Sequence, residues 1–476
     1  MYAAAPQIIQ GGMGVAVSSW PLARAVSVRG QLGVVSGTGL DTVVARRLQL
    51  GDPGGVLRAA FDAFPISEIA QRVWERHYVA GGKAKHAPFK SKAVPSIRMP
   101  SALLELIVVS SFAEVFLAKA RHAGQVGINL LEKVQLPNLP ALFGAMLAKV
   151  DVVLMGAGIP RAIPAVLDRF AAGETAEYPL DVTGALPGEK FFTRFDPKRY
   201  LTGLSRLQRP KFFAIVSSST LALTLARKSS GKVDGFVVEG PTAGGHNAPP
   251  RGAMTLDDSG QPVYGLRDSP DLEQIRSLGL PFWMAGSYGD ASRLQQALAL
   301  GASGIQVGTA FAFCEESGLS PALKASVLAA SRQGRVDVFT DPHASPTGFP
   351  FKVVQLPGTV SEQGVFEARE RICDLGYLRQ TYREADGTLG YRCPGEPLED
   401  FLRKGGTEAE THGRKCLCNG LVSAVDYGQV RHDGTLEPAV VTAGDEASRI
   451  HEFVRPGRDT YSADDVLDRL LGSTAV

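Results

Sequence analysis

The stretch PFWMAGSYGDASRLQQALALGASGIQVGT, Pro281–Thr309, decides the fold. Pro281–Ala285 is a short apolar run that stops at Gly286-Ser287, and Gly304–Val307 is a second that stops at Gly308-Thr309. Between them, Ala291–Leu300 carries a helical pattern. Short apolar runs closed by turn residues read as buried strands, so the stretch is strand, helix, strand.

Upstream the same unit recurs. Gly235–Glu239, Lys211–Val216, Asp151–Met155 and Gln125–Asn129 are apolar runs ending in or near Gly, Ser or Asn. Nearest the N-terminus, a strand at Ile8–Gln10 and one at Leu32–Ser36 flank a helix whose N-cap is Ser18 or Ser19. Asp41–Leu50 and Leu221–Lys228 read as further helices. Eight strands with intervening helices predict an α/β chain folded as a (β/α)8 TIM barrel, with its active site at the C-terminal ends of the strands. The expected division is a barrel over 1–345, with insertions at about 50–123 and 177–210, and a C-terminal extension over 346–476 that ends in a helix at Ala463–Leu471. The 177–210 insertion is expected to form a small hairpin over the mouth.

Composition narrows the class. The chain has 476 residues, 44% hydrophobic and 21% charged, which suits one large globular core with appendages. A net charge of +2 gives no reason to expect nucleic acid or a membrane surface as partner. Ala102–Ala120 is very apolar, but Glu105 and Glu114 interrupt it, so it predicts a buried helix and not a membrane span. The basic loop Val79–Ser101, with Lys83, Lys85, His86, Lys90, Lys92 and Arg98, reads as a solvated face. No signal pattern precedes the first strand, and five cysteines are an odd number; both point to a cytoplasmic setting.

The candidate chemistry lies on three loops. GFVVEGPTAGGHN, Gly235–Asn247, is a strand followed by Gly244, Gly245 and His246. Glycine lets the backbone approach a flat ligand, and a histidine at a strand's C-terminal end is placed to exchange protons. The loops after the seventh and eighth strands, with Ala285, Gly286, Ser287, Gly308 and Thr309, offer backbone N–H groups and hydroxyls to a phosphate. A mononucleotide such as FMN anchored there would lie across the mouth and reach the loops after strands one, three and six.

These motifs resemble the nitronate monooxygenase family, formerly 2-nitropropane dioxygenases. Phe282–Glu316 is similar to its FMN phosphate site, Gly235–His246 to its Val-Glu-Gly strand with Ala-Gly-Gly-His, Ile9–Gly14 to its first strand, and Gly127-Ile128-Asn129 to its FMN-contacting Gly-Val-Asn. The resemblance implies FMN as cofactor and His246 as catalytic base. It implies flavin contacts at Gly12, Met13, Gly14, Asn129, Ser217, Gly244 and Gly245, besides the phosphate-loop residues. The implied reaction is oxidation of an alkyl nitronate with O2, without nicotinamide. FMN-dependent enoyl-ACP reductases and trans-acting polyketide enoyl reductases share the signatures, so an NAD(P)H-dependent enoyl-thioester reductase is the alternative, and a flavin-binding scaffold subunit is a third. The expected partners are a small molecule, nitronate or enoyl thioester, and O2, with a homodimer left open. The chain departs from the family at Ser287-Tyr288, where Gly and Ile are usual, and at Asn247-Ala248-Pro249-Pro250 after the histidine. The added segments suggest a larger lid and a larger or different substrate.

Cys373, Cys393, Cys416 and Cys418 fall together in the extension. Four thiolates could complete a zinc shell, but the spacing has no CxxC pair, so no metal is assigned to them from sequence. Cys314 is expected in the core. His77, His86, His122, His343, His412, His432 and His451 lack partner spacing and read as structural or surface residues.

Overall fold

The computed structural model describes residues 5–200 and 206–472. The eight strands are Ile8–Gln10, Gly33–Ser36, Val126–Leu131, Val152–Gly156, Lys211–Val216, Gly235–Glu239, Phe282–Ala285 and Gly304–Val307. They pair in parallel in sequence order, except that the first strand pairs with the eighth, Ile8 opposite Ile305. The ring closes between the first two strands: Gln10 N donates to Leu32 O at 2.9 Å and Leu32 N to Ile8 O at 3.1 Å. The chain is therefore a closed (β/α)8 barrel, with strand bounds within two residues of those read from sequence.

Alternation along each strand builds two cores. Side chains pointing out, such as Phe236, Val238, Phe282, Met284 and Ile305, pack beneath the helices. Those pointing in, including Ile9, Leu32, Val34, Val152, Leu154, Phe213, Val237 and Trp283, fill the barrel interior. Trp283 stacks on Phe213 with ring centroids 4.8 Å apart and donates from Nε1 to Pro6 O at 2.8 Å, which plugs the N-terminal end. The helix Ala291–Ala299 follows the seventh strand because Asp290 caps it, accepting Ser292 N at 2.8 Å. On the first helix, Trp20–Val28, Ser19 holds the N-cap position without a capping bond; Ser18 instead donates to Gly11 O at 2.8 Å.

The apolar helix Ser101–Lys119 is 78% buried over its most hydrophobic window. Its two carboxylates are both partnered: Glu105 with Arg72 at 2.6 Å, and Glu114 with Trp20 N at 2.7 Å. The basic loop before it is mainly exposed, with one correction. The Lys92 side chain is buried and pairs with Asp41 at 2.7 Å.

The 177–210 insertion does contain a hairpin, Ala176–Leu180 with Phe191–Phe195. It does not cover the mouth. Phe195 packs on Phe143 and Phe170, on the helices Gln135–Leu147 and Ile163–Ala172, at ring distances of 5.2 and 5.7 Å. The mouth is covered by the C-terminal segments. A hairpin of Val338–Asp341 with Phe351–Val354 straddles residue 345, so the chain leaves the barrel a little before the sequence boundary. The last helix, Ala463–Leu471, returns to the flank, where Arg29 reaches Asp464 and Asp468 at 2.8 and 2.7 Å.

Candidate active site

A cavity of about 220 Å³ opens at the C-terminal end of the barrel. Its wall includes Gly12, Met13, Gly14, Asn129, Gly244, Gly245, His246, Ala285, Gly286, Ser287, Gly308 and Thr309, brought together from five strand ends. Ser217 is the one sequence-predicted site residue outside it. Ser217 lines an adjoining cavity with Pro249, Arg251 and Tyr264, and that cavity shares Ala157, Ile215, Glu239 and His246 with the first. The histidine therefore stands where two chambers meet.

Two glycines are there for space. A Cβ on Gly12 would come within 2.1 Å of Asn129 Cβ, and one on Gly244 within 2.7 Å of the Ala443 carbonyl carbon. The first allows the third-strand asparagine to reach the cavity floor, where its Nδ2 donates to Gly12 O at 3.0 Å. The second lets the C-terminal segment lie directly on the His246 loop.

His246 is fixed on several sides. Its Nε2 is 2.7 Å from Ser345 Oγ, which is 2.8 Å from Thr347 Oγ1. Its ring meets Phe351 edge-on at 4.8 Å. Gly245 N donates to Thr442 Oγ1 at 2.9 Å, and Asn247 N donates to Pro350 O at 2.9 Å. Asn247, which departs from the family pattern, thus ties the loop to the hairpin strand. Burial, with a smaller push from Lys133, lowers the imidazole to about 4, so it is neutral at physiological pH. Among the described residues its Nδ1 has no hydrogen-bond partner, leaving one ring nitrogen available for proton transfer.

Glu239 was missed from sequence, although it stands in the quoted Val-Glu-Gly. It is the last inward-facing residue of the sixth strand, and burial pushes its carboxyl up to about 7. Gln306, inward on the eighth strand, was missed as well.

The residues fit FMN. Among the described residues Asn129 Oδ1 and Gln306 Oε1 are buried acceptors without a partner, both in the cavity wall, and unsatisfied buried acceptors are costly unless a ligand donor meets them. The N–H groups of Gly286, Ser287 and Gly308 make no hydrogen bond among the described residues. Ser287 adopts φ 56°, a left-handed conformation that explains why glycine is usual there. Two contacts crowd this corner: Gly444 N donates to Thr309 Oγ1 at 2.9 Å, and Gly289 N donates to Glu446 Oε1 at 2.6 Å. Burial raises the Glu446 carboxyl, which favours its neutral form beside an anion.

His343 lies outside both cavities and its N–H donates to Asp341 at 2.8 Å, as expected of a structural residue. Cys314 is fully buried.

Residues 192–340 match the model of the nitronate monooxygenase family. A probable nitronate monooxygenase of Bacillus subtilis is 35% identical over 117 residues, which is 25% of this chain and 32% of that protein. A Mycobacterium tuberculosis protein named as a hydroxy-methyl-oxo-octahydro-indene-carboxyl-CoA dehydrogenase is 30% identical over 124 residues, 26% of this chain and 32% of that one. The chain thus spans about a third of the length of the curated relatives it matches. Among solved structures, FabK from Thermotoga maritima is 17% identical with a TM-score of 0.47, covering 98% of this chain and 92% of its own. Nitroalkane oxidase from Streptomyces ansochromogenes is 15% identical with a TM-score of 0.46, covering 99% and 96%. The likeness to nitronate monooxygenases read from the motifs is shared by the family model and the curated relatives.

Proposed function

We propose that this chain is an FMN-dependent oxidoreductase that oxidises an alkyl nitronate with O2, using His246 as its base. The observation that carries the reading is the pair of adjoining chambers that share His246 and Glu239. The glycine-lined chamber suits the cofactor: Gly286, Ser287 and Gly308 would hold the phosphate, and Asn129 and Gln306 the polar edge of the ring. The second chamber suits a small substrate, with the Arg251 guanidinium at its wall to attract an anion. The chemistry supplied by bound FMN is acceptance of electrons from the nitronate and their return to O2.

The chain's own residues handle the proton. A neutral imidazole can take the proton from the carbon of a neutral nitroalkane and so form the nitronate inside the site, and an imidazolium cannot. Ser345, bonded at Nε2, orients the ring and stabilises one tautomer. Glu239, neutral below about pH 7, keeps a second negative charge away from an anionic substrate. The proposed setting is the cytoplasm.

A second reading is an NAD(P)H-dependent enoyl-thioester reductase, supported by the relative named for a CoA thioester. One anaerobic experiment separates the two. The FMN-loaded protein is mixed with a nitronate, and separately with NAD(P)H. Bleaching by the nitronate alone supports the first reading, and rapid bleaching by NAD(P)H replaces it with the second. A protein that takes up no flavin defeats both.

A further inference from the structure

We propose that Cys373, Cys393, Cys416 and Cys418 hold a thiophilic metal centre, one zinc ion or one iron–sulfur cluster, in the wall of the catalytic cavity. The sequence spacing argued against such a site; the fold argues for it. Three separate segments bring four of the chain's five cysteines to the lining of one small cavity. All four are free thiols. Cysteines serving only as small apolar fillers pack against one another or their neighbours and leave no void at their centre. Here the rest of the wall is mainly apolar, with Leu375, Leu378 and Leu417. Water has few partners in such a space, whereas a metal would have four. Among the described residues no group of three or more His, Cys, Asp or Glu side chains is arranged to hold a metal ion as it stands, so metal binding requires the thiols to turn into the void.

The surroundings supply what a thiolate centre needs. A metal with four thiolates carries net negative charge, and the site is flanked by arginines. Arg379 lines the void itself. Among the described residues Arg369 Nη2 and Arg371 Nη1 are buried N–H groups without an acceptor, in the segment that leads to Cys373. Asn419 Nδ2 is 3.5 Å from Cys416 Sγ, placed to donate an N–H···S bond of the kind that orients metal-bound sulfur. Cys418, Leu378 and Leu417 line both this void and the catalytic cavity. A metal here would tie residues 373, 393 and 416–418 together and fix that shared wall.

The test needs no flavin. The full chain is purified without oxygen from cells supplied with iron and zinc, then assayed for both metals and for acid-labile sulfide. About one zinc per chain without sulfide, or iron matched by sulfide, supports the proposal, and the two results identify the metal. X-ray absorption on the unaltered protein should give a sulfur shell at about 2.3 Å. The double variant Cys393→Ser with Cys416→Ser should lose metal affinity by about ten- to a hundredfold or more, while Cys314→Ser, outside the void, keeps it. Metal far below one equivalent, a nitrogen or oxygen shell, or full retention in the double variant overturns the proposal. The absorption measurement decides the matter if the double variant does not fold.

Discussion

The two ends of the barrel are made from the same eight strands and do opposite things. At the N-terminal end the inward residues are Leu32, Val152, Phe213 and Trp283, apolar and packed solid. At the C-terminal end they are Asn129, Gly156, Glu239 and Gln306, small or polar, with two unsatisfied amide oxygens. One end is stabilised by burial of apolar surface. The other leaves polar groups and space unfilled, a cost tolerated at functional sites. The lesson is positional: two or three residues along a strand separate a stability position from a chemistry position.

That contrast can be broken from either side. The largest expected effect is at the mouth: His246→Asn should slow flavin reduction by the neutral nitroalkane by about 10²- to 10⁴-fold and leave the denaturant midpoint nearly unchanged. Stopped-flow and urea titration on one preparation check both halves. Trp283→Ala should do the reverse, costing about 3–5 kcal/mol of stability while FMN affinity holds; equal loss of both would mean the ends are not separable. Glu239→Gln should change a pH profile. The wild-type carboxyl, raised to about 7, gains its charge as pH climbs through that value, so KM for an anionic substrate should rise there; the variant should be flat. In both proteins kcat should fall only in acid, as the His246 imidazole protonates near pH 4. The smallest effect is Ser287→Gly. Relief of the left-handed backbone is offset by greater chain entropy on unfolding, for a net change under about 1 kcal/mol. A lost hydroxyl contact should weaken FMN by about fivefold, read by fluorescence titration.

The barrel was legible because its signal is local. Each apolar run, and the Gly, Ser or Asn that stops it, can be read within a dozen residues, and the strand ends placed eleven of twelve expected cofactor contacts on one cavity. Ser217 faces the second chamber because the chain turns away at the next residue, Ser218, which caps the following helix. What could not be read were partners distant in sequence. Ser345, Thr442 and Glu446 reach the site from the C-terminal segment, and no periodicity connects them with His246. The hairpin at 176–195 was visible as a hairpin, but its aromatic side chains, which dock it on the flank, gave no direction.

The contact of Gly444 N with Thr309 Oγ1 spans 135 residues. During synthesis all eight staves of the cylinder leave the ribosome well before the strap that roofs it. A truncated or clipped product can therefore be barrel-shaped and still inert, because its pocket is finished by residues that arrive long after the last strand.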